Sequence, residues 1–145
     1  MNWPVPRPGL VIRYSYLWES EARAGKEEGV KDRPCAIVLV IHDDHGEQRV
    51  QVLPVTHTPP ADLSTALEIP LVVKQRLGLD AQRSWVVVTE LNEFVWPGPD
   101  LRPAIRGDLG SVAHGFLPPR FFRAVRDRYL ALDAARRLNR IQRTE

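Results

Sequence analysis

The chain has 145 residues, of which 43% are hydrophobic and 26% charged, an ordinary balance for a soluble globular domain long enough to bury a core. No apolar run approaches the roughly 20 residues of a membrane-spanning helix, and the opening MNWPVPRPGL has neither the charged nor the apolar region of a signal peptide. A membrane protein, a disulfide-stapled secreted scaffold and a disordered chain are excluded on these grounds. The single cysteine, Cys35, lies in the apolar run CAIVLVI and has no partner for an internal disulfide. The expectation is a buried thiol, a reducing, cytoplasmic compartment, and neither metal nor cofactor. Net charge is +2, yet 17 of the 20 basic residues are arginine, and eight of these fall between Phe116 and Glu145 against three acids. Arginine bonds phosphates and carboxylates with a planar fork, so this end hints at an anionic partner, the alternative being a solvated helix face.

Thirteen prolines against nine glycines argue for short elements with many turns. Gly9 to Trp18 is rich in β-branched and aromatic residues and reads as a strand. The polar stretch Glu19 to Gly29 reads as a mobile loop. Cys35 to Ile41 has the unbroken apolar pattern of a central strand, and His42 to Glu47 the chemistry of a hairpin turn. Arg49 to Thr56 alternates before Pro59-Pro60 stops it. Leu67 to Pro70 is a short extended piece, Leu71 to Leu77 a helical turn that Gly78 ends, and Trp85 to Leu91 a second core strand. From Pro118 the period changes. Phe122, Val125, Tyr129 and Leu132 recur at helical spacing, with Leu130, Ala134, Leu138 and Ile141 on an adjoining stripe and arginines such as Arg123, Arg126, Arg136, Arg137 and Arg140 mostly elsewhere, which predicts a basic amphipathic helix over 118–143. The pattern predicts one domain over 1–145, α+β and mainly β, built on a strongly bent antiparallel sheet or partly open barrel.

His42-Asp43-Asp44-His45 offers four potential metal ligands, but they are consecutive in a hairpin tip and so do not converge. Ser111 and His114 lack the elbow or acid of a hydrolase. Two strand-associated elements carry more. Lys31-Asp32-Arg33-Pro34 precedes the buried strand, where proline keeps Arg33 extended. Pro54-Val55-Thr56-His57-Thr58 ends its hairpin partner, which places Arg33 and Thr56 at the same end. Held on rigid strands, an arginine and a threonine can bind and polarise a phosphate; a rim salt bridge beside an edge-strand threonine is the alternative.

In this order, Pro8-Gly9-Leu10-Val11, Lys31-Asp32-Arg33-Pro34-Cys35-Ala36-Ile37-Val38, Leu53-Pro54-Val55-Thr56-His57, Leu67-Glu68-Ile69 and the stretch from Gly78-Leu79-Asp80 through Ser84 to Glu90 resemble the MazF/PemK (Kid) family of toxin endoribonucleases. The resemblance covers 8–101. It implies an SH3-like, strongly curved sheet with a C-terminal helix, a homodimer, an antitoxin partner, and metal-independent cleavage of single-stranded RNA to a cyclic phosphate and a free 5′-hydroxyl. Carried onto this chain, the family's arginine falls on Arg33, its threonine on Thr56 and a later acid on Glu90. The general base is then Glu90 or His57, an imidazole being suited to proton transfer near neutral pH. Lys31, Thr58, Asn92 and Trp96 are the expected RNA contacts, with Phe94 to Pro99 as an aromatic platform for a base. Val88 stands where one branch of the family carries a further arginine. The competing readings are a non-catalytic SH3-like module that binds nucleic acid or peptide, and a DNA-binding protein that uses the basic helix.

Overall fold

Strand-forming residues around Val50 to Val55 make the hub of the molecule. A computed structural model of the chain describes residues 3–26, 29, 31–105, 111–135 and 137–143. Among them the elements run β1 (Leu10–Tyr14), α1 (Glu19–Arg23), β2 (Arg33–His42), β3 (Gln48–Thr56), a 3-10 turn (Leu63–Thr65), β4 (Ala66–Glu68), α2 (Leu71–Arg76), β5 (Trp85–Val87), β6 (Glu90–Trp96), β7 (Ala113–Phe116), α3 (Pro119–Ala134) and β8 (Asn139–Gln142). The protein is α+β. Its strands form one eight-stranded sheet in the order β4-β5-β3-β2-β1-β7, with β6 branching from β3 and carrying β8. Pairing is antiparallel except between β6 and β8, and the sheet is not closed into a barrel.

The β2–β3 hairpin forms where the sequence predicts it. At its tip the Asp43 carboxylate accepts the amides of His45 (2.8 Å) and Glu47 (2.9 Å), the local bonding that makes aspartate a turn residue. The run Trp85 to Leu91, expected as a single strand, instead breaks at Val88 and Thr89. Val86 pairs with Val55 and Asn92 with Val52, so six steps of this run face three of β3. The surplus loops out, which lets β5 turn to β4 while β6 turns to β8.

Side chains alternate across the sheet and fill a core on each face. Val11, Ala36, Leu53, Val86 and Leu91 pack against Val73 and Leu77 at α2 and Val125, Tyr129 and Leu132 of α3. Ile12, Tyr14, Cys35, Ile37, Val50, Val52, Phe94 and Trp96 fill the other. Burying each large apolar residue of α3 stabilises the fold by about 1.5–3 kcal/mol. Tyr129 also donates its hydroxyl to Gln51 (2.5 Å), whose amide donates to Glu93 (2.8 Å).

Two further expectations are corrected. The C-terminal helix stops at Ala134 rather than 143, and Asn139–Gln142 lies parallel to β6. Beyond the helix the burial pattern has a period of two, with Ile141 and Arg143 inside and Arg140 and Gln142 outside, so a strand buries both inward groups. The polar stretch after Trp18 is not wholly loop. Glu19–Arg23 is helical, with the Trp18 amide donating to Glu21 (3.1 Å) and the Glu19 amide to Glu90 (3.1 Å). No described helix is long and apolar enough to cross a membrane.

Candidate functional site

Arg33 opens β2 because the following proline holds it extended, and Thr56 closes β3 before the chain turns toward Pro59. The register Cys35↔Pro54 sets these two ends side by side. Nη1 of Arg33 donates to the Val55 carbonyl at 3.1 Å, and its guanidinium lies 4.9 Å from the centroid of the Trp18 ring, an arrangement favourable to both charge and shape. Oγ1 of Thr56 accepts the amide of Thr58 (3.1 Å), which leaves the hydroxyl proton for another acceptor.

Two adjoining cavities meet here. One, of about 320 Å³, is lined by residues that include Arg13, Arg33, Lys74, Asp80, Ser84 and His114. The other, of about 450 Å³, is lined by residues that include Trp18, Thr58, Pro59 and Pro60. Lys31, Arg33, Thr56 and His57 border both. Five of the eight expected site residues are thus brought together: Lys31, Arg33, Thr56, His57 and Thr58.

A polar relay fixes the imidazole. Nε2 of His57 lies 2.8 Å from Oδ2 of Asp80, and Oδ1 of Asp80 accepts Nζ of Lys74 at 2.6 Å. Lys74 is only 2% exposed; its ammonium also bonds Oγ of Ser84 (2.7 Å) and the Gln82 carbonyl. Partial burial would raise the Asp80 carboxyl, but the bond and charge of Lys74, then those of His57, outweigh it and hold that carboxyl below its ordinary range. An ionised carboxylate only accepts. Nε2 of His57 therefore carries its proton and Nδ1 is left as the basic nitrogen.

The remaining expected residues are placed elsewhere. Glu90 lines neither cavity; it accepts the Tyr16 hydroxyl (3.0 Å) and the Glu19 amide (3.1 Å). Burial raises its carboxyl, the two hydrogen bonds only partly opposing this. Asn92 and Trp96, expected as RNA contacts, are corrected to core residues. Asn92 is fully buried, bonding both backbone groups of Leu17 and the guanidinium of Arg143. Trp96 is 8% exposed and packs beside Phe94, which stacks on Tyr14. The aromatic platform over Phe94 to Pro99 is thereby corrected as well, since burying these rings leaves them no face for a base.

The arginine-rich end is likewise no single face. Arg126 pairs with Asp127, Arg140 with Asp133, and Arg128 donates to the Ser64 carbonyl. Arg143 is 3% exposed, bonded to Asp100 (2.9 Å) and the Ser15 carbonyl (2.7 Å). Arg136 lies outside the described residues. Cys35 is fully buried, and burial pushes its thiol up despite Arg33 nearby.

Sequence reasoning passed over Arg13, Trp18, Lys74 and Asp80 as contributors to the site. Each sits in an ordinary strand, loop or helix pattern and reaches the cleft only through tertiary packing. His114 carried a signal, the His-Gly pair. Ala113 faces Ile12 and Gly115 faces Val11, so His114 is the extra residue of a β-bulge, and Gly115 has φ +128°, backbone that favours glycine. Burial, then the charge of Arg13, lowers the His114 imidazole. Its Nε2 and the Nε of Arg33 are enclosed without a hydrogen-bond partner, each costing about 1–3 kcal/mol.

Among the described residues no ion pair involves Arg13, Lys31 or Arg33, and no group of three or more His, Cys, Asp or Glu is placed to hold a metal ion. Uncommitted cations around a cleft that holds a hydroxyl and a basic imidazole form an arrangement that can bind an anion and move a proton beside it. No protein-family model matches the chain, and no curated protein is significantly similar to it.

Proposed function

We propose that the protein is an endoribonuclease of the MazF/PemK kind, with an SH3-like fold, that cuts single-stranded RNA without a metal ion. The observation that carries this reading is the convergence of Arg33, Thr56 and His57 on one cleft, with Asp80 fixing the imidazole. Each step of the chemistry then has its group. Nδ1 of His57 accepts the proton of the ribose 2′-hydroxyl, the 2′-oxygen bonds to phosphorus, and the bond to the 5′-oxygen breaks. Arg33 stabilises the charge of the pentavalent phosphorane, Thr56 donates to a phosphate oxygen, and water protonates the departing 5′-oxygen. The products are a 2′,3′-cyclic phosphate and a 5′-hydroxyl. Of the two candidate bases, Glu90 from the resemblance and His57 from its imidazole chemistry, His57 is the one that lines the cleft.

The same reading makes the protein a growth-inhibiting toxin, a homodimer in the cytoplasm, whose RNA groove a cognate antitoxin covers. The sequence resemblance supports this part by itself. The test is incubation of the purified protein with a long single-stranded RNA in excess EDTA, followed by chemical identification of the ends. Discrete cuts bearing cyclic phosphate and 5′-hydroxyl ends are expected. Intact RNA, or 5′-phosphate ends, would overturn the reading, and intact RNA retained by the protein would identify a binding module.

A further inference from the structure

We propose that the Arg13–His114 end of the cleft is a second phosphate subsite, which holds the phosphate next to the scissile one when a single strand crosses β3, β2, β1 and β7. The identity of the strand as RNA rests on the ribonuclease reading above; the anion site rests on its own geometry.

Thr56, Arg33, Arg13 and His114 stand on four consecutive neighbours in the sheet, and all four line one cavity. Adjacent strands are about 5 Å apart, so Arg13 is one step from Arg33 and His114 two. Arg13 pairs with Pro34 and Tyr14 with Arg33, so the two arginines leave their strands on opposite faces and are joined by the cavity both line. No carboxylate of the described residues pairs with Arg13 or Arg33, while the acids of the cavity wall are engaged elsewhere, Asp32 with Arg102 and Asp80 with Lys74 and His57.

The bulge in β7 is the second observation. An extra residue re-aims its side chain and is a recurrent device beside binding sites. Here the residue so placed is an imidazole whose Nε2 has no partner. Turning about χ2, a broad torsion in histidine, lets that nitrogen meet a phosphate oxygen in the cavity. Arg13 supplies the charge and His114 a directed hydrogen bond.

The test uses deoxy oligonucleotides, which lack the attacking 2′-hydroxyl. Binding of thymidine dinucleotides with one phosphate (TpT) or with a second, terminal phosphate at either end (pTpT and TpTp) is measured by calorimetry for wild type, Arg13→Ala and His114→Gln. For one of the two ends, wild type gains about tenfold in affinity from the added phosphate. Each variant loses most of that gain, a larger factor than any it loses for TpT. A proton spectrum of the wild-type histidines needs no variant: the His114 resonance moves with the two-phosphate ligand and not with TpT. No gain in wild type, or a gain kept in both variants, overturns the subsite. RNA cleavage by a protein without the gain removes the subsite and keeps the ribonuclease; the gain in a protein that cuts no RNA does the reverse.

Discussion

Nε2 of His57 lies 2.8 Å from Oδ2 of Asp80, and this contact decides which ring nitrogen can take a proton. Lys74, buried behind it, holds the other carboxylate oxygen at 2.6 Å. If His57 is the base, Asp80→Ala lowers kcat by roughly tenfold to a hundredfold, part of the 10²–10⁴ typical of general-base catalysis, and leaves KM little changed. Steady-state cleavage of a short RNA checks this. A rise in KM with kcat intact would make Asp80 a binding residue.

The Lys74–Asp80 pair also has an acid-side signature. The Asp80 carboxyl is held below its ordinary range, despite partial burial, by Lys74 and His57. The folded state therefore binds fewer protons here than the unfolded chain. The stabilisation is complete above the unfolded carboxyl's value, near 3.8, and is lost as pH falls through the lower folded value. Melting temperature followed from pH 6 to pH 2 is expected to fall less steeply for Asp80→Asn than for wild type.

For Glu90 the sign is opposite. Burial raises its carboxyl, so the folded state binds more protons than the unfolded chain, and stability falls as pH rises through the interval between the two values. Glu90→Gln keeps an oxygen for Tyr16 and for the Glu19 amide without the charge. It is expected to melt no lower than wild type at pH 5 and higher at pH 8, and to cleave RNA within about threefold of wild type, as residues away from a site do. Loss of cleavage in a folded Glu90→Gln protein would return the general base to Glu90.

Arg143 is a stability residue despite its place in a basic tail. Its side chain is 2% exposed and faces Asp100, itself 11% exposed, beside Asn92 and the Ser15 carbonyl. Arg143→Met takes the nearer cation from that carboxylate, which keeps Arg102 at 4.0 Å, and removing one member of a buried pair costs up to about 3–5 kcal/mol. Urea midpoints of wild type and variant measure the loss.

Much of this was legible in the sequence because the signals are local. Proline after Arg33, the apolar run from Cys35 and the turn bearing Asp43 and Gly46 together set a hairpin whose register brings Arg33 to Thr56. The helix from Pro119 follows from its 3.6-residue period. Less local facts were hidden. Ile141 fits a helical stripe and a strand equally well, and only the buried partners of Arg143 decide between them. Asn92 and Trp96 look like exposed polar and aromatic contacts until β6 is seen buried between β3 and β8. Lys74 and Asp80 are six residues apart with nothing in their spacing to tie them to His57, and the bulge that presents His114 is a property of its pairing with β1.

The most direct measurement is cleavage of one single-stranded RNA in EDTA by wild type and Arg33→Ala side by side, with melting curves of both. Discrete cuts by wild type, lost by at least about a hundredfold in a variant that still melts cooperatively, are the predicted result, since removing a single preorganised donor to a developing charge costs about 10²–10³ in rate. Equal cutting by the two proteins, or no cutting by a folded wild type, would contradict the account.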